Sequence, residues 1–102
     1  MLIRYERTGH VLKAKPIGEL DHHSAEFARE DLESMIQDES IRELILDLSY
    51  MTFMDSSGIG VILGRYRTMK SRGGKVSVTN MSSHVDRILN MSGLYQVIQR
   101  IG

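Results

Sequence analysis

Three residues able to cap a helix, Asp55, Ser56 and Ser57, stand in a row ahead of Gly58-Ile59-Gly60. A helix N-terminus leaves backbone N–H groups unpaired and carries a partial positive charge, so Asp and Ser there normally serve as caps. One cap is enough, which leaves at least one hydroxyl spare. Gly58 and Gly60 keep bulky side chains out of the first turn, so another protein's active site could approach a serine. The helix dipole would favour a phosphate there, and a phosphate would change the surface charge by about −1.5 to −2 without melting the fold. The chemistry implied is acceptance of a phosphoryl group, set beside the plainer alternative that all three residues only cap.

Other chemistries fail on spacing. Gly58, Gly60 and Gly64 give G-x-G-x-x-x-G, one residue too long for a dinucleotide fingerprint, and no Lys-Ser or Lys-Thr stands directly after the last of these glycines as a P-loop requires. Met54 stands where the nucleophile elbow of a hydrolase needs Gly. The adjacent His22 and His23 lack the i, i+4 spacing of a helical metal pair, so no metal is expected, and Asp21 before them suits a turn or cap. The methionines, among them Met51, Met54, Met69, Met81 and Met91, read as adaptable core filler. Arg65, Arg67, Lys70, Arg72 and Lys75 read as a solvated cationic face complementing the end of a helix.

The elements that must position the Asp-Ser-Ser-Gly turn follow from periodicity. Leu2 to Glu6 and His10 to Lys15 alternate about Thr8 and Gly9 as a β-hairpin. Ser24 to Gln37 places Ala25, Ala28, Leu32, Met35 and Ile36 at helical spacing. Leu44 to Leu48 is a nearly unbroken apolar run, as expected of a central strand. Ser57 to Arg72 is a second helix ended by Gly73 and Gly74, and Lys75 to Thr79 alternates as a strand. Ser83 to Met91 forms a third helix, and Val97 to Ile101 a last short strand. Strands alternating with helices predict an α/β fold, a mixed sheet of four to five strands with helices packed against it and right-handed crossovers.

Composition bounds the possibilities. At 102 residues the chain suits one domain with one core, and 41% apolar with 25% charged residues argues against disorder. Lys plus Arg and Asp plus Glu balance at 13 each, so no net field draws the protein to nucleic acid or an anionic membrane. No Cys is present, which removes disulfide and thiolate chemistry and fits a reducing cytoplasm. No export signal is visible near Met1, no run of about 18 apolar residues could span a membrane, and no apolar stripe demands a dimer.

On these residues the chain resembles the STAS-domain anti-sigma-factor antagonists. The resemblance spans nearly all of residues 1–102. It is carried by Gly18-Glu19-Leu20-Asp21-His22-His23, by Phe53 to Tyr66 with Asp55-Ser56-Ser57-Gly58 at its head, and by Met91-Ser92-Gly93-Leu94. The Asp-His-His segment and Gly64-Arg65-Tyr66 point to the sporulation branch. The resemblance implies a non-enzymatic STAS domain without cofactors. Its unphosphorylated form would bind an anti-sigma factor that is also a serine kinase, releasing the sigma factor. It implies Ser56 as the phosphorylated residue, a serine phosphatase that restores binding, and a kinase-binding surface of Asp21, Asp55, Ser57, Gly58 and Gly60. The expected protein is a cytoplasmic monomer. Family members continue into another helix where this chain ends at Gly102, so that helix is expected to be missing. The rivals are a small-molecule or nucleotide-binding module or weak hydrolase, a stress-response antagonist, and a transporter-associated module of the same fold.

Overall fold

Gly9, at φ 61°, turns the chain between two alternating segments, and in the computed structural model these become strands β1 (Leu2–Thr8) and β2 (Val11–Leu20), paired antiparallel. All of residues 1–102 are described. The chain continues through α1 (Ala25–Met35), β3 (Glu43–Asp47), β4 (Met51–Met54), α2 (Ser56–Lys70), β5 (Lys75–Thr79) and α3 (Ser83–Met91). A 3-10 turn (Leu94–Gln96) and β6 (Gln99–Arg100) complete it. The sheet order is β1-β2-β3-β5-β6, with β4 beside β2. The β2–β3, β3–β5 and β5–β6 pairs are parallel, as expected when helices carry the crossovers.

The mixed α/β sheet expected from the sequence is present, with six strands where four to five were anticipated. The additional strand is β4. It has four residues and pairs with Gly18 to Leu20 of β2 alone, too short a run to show a period in the sequence. Strand β2 therefore changes partner along its length, meeting β3 from Val11 to Ala14 and β4 from Gly18 onward. Pro16, which has no N–H to give, falls between the two ladders. The final strand is narrower than Val97 to Ile101, because Leu94 to Gln96 first turns as a 3-10 helix.

Leu44, Leu46, Val76 and Val78 of the central strands share one core with Ala28 and Leu32 of α1 and with Val61, Ile62 and Met69 of α2. Met51, Met54 and Met69 fill it as expected, but Met91 does not, being 77% exposed at the end of α3.

The cationic face also needs correction. Arg65 is buried, with Nε 2.9 Å from Oε1 of Glu33 and Nη1 donating to the Arg29 carbonyl. Burial pushes its pKa down, while Glu33 pulls it back up. Its place among Val61, Ile62 and Met69 at i−4, i−3 and i+4 puts it on the apolar side of α2. Arg72 likewise donates to the Ile36 carbonyl, at 2.5 Å. Two residues expected in solvent thus tie α2 to α1 and to the chain just after it.

Candidate functional site

The register of β2 against β4 builds the site. Leu20 lies opposite Met54 in parallel strands, so the next residues, Asp21 and Asp55, leave the sheet at the same end. The Asp55 N–H donates to the Leu20 carbonyl at 3.3 Å and joins the two exits.

Asp55 is extended, at φ −119° and ψ −169°, and is the N-cap of α2. Its Oδ1 accepts the Ser57 N–H at 2.8 Å, and its carbonyl accepts the Gly58 N–H at 3.0 Å. Capping by a carboxylate leaves the two serine side chains without that task. Ser56 is exposed on the first turn and Ser57 is half-buried. The spare hydroxyl inferred from three consecutive capping residues is therefore Ser56 Oγ, facing solvent at the positive end of a 15-residue helix.

The two glycines act differently. Gly60 is exposed, with open space where a Cβ would stand. Gly58 is buried, and a Cβ there would lie 2.6 Å from Met54 Cγ and 3.0 Å from Leu20 Cγ. Its role faces inward, since only glycine lets the first turn of α2 sit this close to the ends of β2 and β4. Gly58 thus differs from Gly60 and does not leave the open approach expected of both.

Asp21 sits in a tight loop of its own. Its Oδ1 accepts the N–H groups of His23 at 3.0 Å and Ser24 at 3.1 Å, while Ser24 Oγ donates to the Glu19 carbonyl at 2.7 Å. Partial burial pushes the Asp21 carboxyl up, but these hydrogen bonds outweigh it and hold the group below the usual carboxylate range. A shallow notch beside it is lined by Glu19, His23 and the half-exposed Phe27. His22 and His23 are both exposed, with ring centroids 3.9 Å apart.

One flanking feature escaped the sequence reading. Phe53 is 39% exposed on β4 and stacks on His84 of α3, centroids 5.5 Å apart. The pairing depends on α3 folding back onto β4, and no local pattern announces it. The assembled surface thus carries two carboxylates, one exposed serine hydroxyl and an aromatic flank. Ser56 Oγ makes no hydrogen bond within the chain.

The STAS domain model matches residues 3–102. An anti-sigma F factor antagonist of Paenibacillus polymyxa is 40% identical over 96 residues, covering 94% of this chain and 82% of the relative. An anti-sigma-B factor antagonist of Bacillus subtilis is 35% identical over 82 residues, covering 79% and 72%. Among solved structures, the Bacillus cell fate determinant SpoIIAA in its phosphorylated form superposes with a TM-score of 0.76 at 28% identity, over 99% of this chain and 92% of that one. The chain belongs to the STAS-domain family of anti-sigma-factor antagonists. No helix is long and apolar enough to cross a membrane.

Proposed function

We propose that this protein is a cytoplasmic anti-sigma-factor antagonist whose unphosphorylated form binds an anti-sigma factor with serine kinase activity and releases a sporulation sigma factor. Phosphorylation of Ser56 ends binding, and a serine phosphatase restores it. The observation that carries the reading is the exposed Ser56 hydroxyl, left free because Asp55 takes the cap. The 40% identity to an anti-sigma F factor antagonist supports the partner, and the phosphorylated form of SpoIIAA supports the modification.

Asp21, Asp55, Ser57 and Gly60 form the kinase-binding surface around Ser56, and Gly58 serves it by seating the turn. A phosphate on Ser56 would occupy that surface and add charge to it. Two unit charges about 4 Å apart at an effective dielectric near 20 interact by about 4 kcal/mol. A hundredfold loss of affinity needs only about 2.7 kcal/mol.

The test is peptide mapping by mass spectrometry after incubation with the anti-sigma kinase and ATP. One phosphate on Ser56 is expected, and none on Ser56→Ala; a phosphate on Ser57 instead would overturn the assignment. The 35% identity to an anti-sigma-B factor antagonist favours a second reading, in which the same switch serves a stress circuit. Pull-down against both kinds of anti-sigma factor separates the two.

A further inference from the structure

Asp47 is buried at the last position of β3, where the chain leaves the middle of the sheet. Its Oδ1 accepts the Ser49 N–H at 3.1 Å and the Asn80 side-chain amide at 3.2 Å, and its Oδ2 lies 3.8 Å from Lys15 Nζ. Burial pushes the carboxyl up, and the hydrogen bonds from Ser49 and Asn80 outweigh that and hold it charged.

These three partners come from three places: the turn after β3, the residue after β5, and β2. Asn80 reaches Asp47 from a left-handed backbone, at φ 59°. The Ser49 contact fixes the short turn whose other bonds run from the Leu48 N–H to the Thr79 carbonyl and from the Gly18 N–H to the Tyr50 carbonyl. That turn carries the chain from β3 into β4, and β4 in turn sets Asp55 beside Leu20 and starts α2 at Ser56. An anionic side chain taken out of water needs partners to be tolerated, and here Ser49 lies in the turn that leads to β4 while Asn80 and Lys15 tie that turn to the neighbouring β5 and β2.

We infer that Asp47 is a positioning residue for the Asp55–Gly60 turn: it locks the β3-to-β4 crossing and thereby sets where Ser56 is presented. The phosphorylation readout below rests on the proposed function, whereas the amide readout does not, so the two ideas can fail separately.

The test is native-state hydrogen exchange of the Asp55 and Ser57 amides, with the Val78 amide of β5 as an internal core reference. Loss of one buried hydrogen-bonded carboxylate should speed exchange at the turn by about tenfold in Asp47→Ala. The Val78 amide should change much less. Asp47→Asn keeps both contacts to Oδ1 but gives up the charge facing Lys15, so it should speed the turn clearly less than Asp47→Ala does. Asn80→Gly removes only the amide donor while suiting the left-handed backbone, so it keeps the idea testable if Asp47→Ala does not fold. It should move the turn in the same direction.

With the kinase, kcat/KM for Ser56 should fall with Asp47→Ala and clearly less with Asp47→Asn. Equal acceleration at Val78 and at the turn would reduce Asp47 to a general stabiliser and overturn the inference. So would unchanged turn amides in both Asp47→Ala and Asn80→Gly, or a loss in Asp47→Asn as large as in Asp47→Ala.

Discussion

Helices α2 and α3 both begin with serines, and they use them in opposite ways. At α3 the N-cap is Ser82, whose Oγ accepts the Val85 N–H at 3.2 Å, so its hydroxyl is engaged in the fold. At α2 the cap is Asp55, whose carboxylate accepts the Ser57 N–H at 2.8 Å, and the hydroxyl of Ser56 is left to solvent. Two hydroxyls of the same chemistry thus differ in availability because Ser82 is itself the N-cap, whereas Ser56 stands one position after its cap. A serine at a helix start is informative only once the identity of the cap is known.

The sharpest way to break that comparison is to exchange the roles. Ser56→Ala should abolish phosphorylation while changing unfolding free energy by less than about 0.5 kcal/mol, as expected for an exposed side chain without partners. Ser82→Ala should leave phosphorylation intact and cost about 1 kcal/mol, read by urea unfolding, because it removes a working cap. A large stability loss in Ser56→Ala would mean that its hydroxyl is not spare.

Glycine substitutions probe how tightly the α2 start is seated. Gly58→Ala must move Met54 or Leu20, and overpacking of this kind typically costs about 1–3 kcal/mol. Gly60→Ala meets open space in a helix and should be stabilising by up to about 1 kcal/mol. Equal thermal shifts for the two would contradict the inward role of Gly58.

Removing the α2 cap itself is a comparable perturbation. Asp55→Ala should cost about 1 kcal/mol, and Asp55→Ser should recover most of it by restoring a capping oxygen. That second variant would make α2 start as α3 does, and recovery of stability without recovery of kinase binding would separate the two roles of Asp55.

The smallest expected effect is on pH dependence. Asp21 has a folded-state pKa below its unfolded value, so its contribution to stability is present above about pH 4 and is lost as pH falls through the lower folded value. Acid titration of Asp21→Asn should show a shallower decline over that range than wild type. An unchanged profile would mean that the backbone hydrogen bonds to Asp21 do not favour its charged form.

Much of this was legible in the chain itself. Repeats of apolar residues at helical spacing marked α1, α2 and α3, and alternation marked the hairpin and β5, because burial on one face of an element imposes its own period on the sequence. The row Asp55-Ser56-Ser57 marked a helix start with capping capacity beyond need, since capping chemistry is local. What could not be read there depends on residues far apart. Asp55 rather than a serine became the cap when parallel pairing placed it beside Leu20, and Gly58 became obligatory when that pairing brought Met54 and Leu20 beneath it. Arg65 is inside because Glu33 and the Arg29 carbonyl, on another helix, meet its charge, and Met91, at the end of α3, is left 77% exposed while Leu89 two residues earlier is buried. Local periods determine which elements form, whereas the burial of a charge, the need for a glycine and the freedom of one hydroxyl follow only from which elements meet.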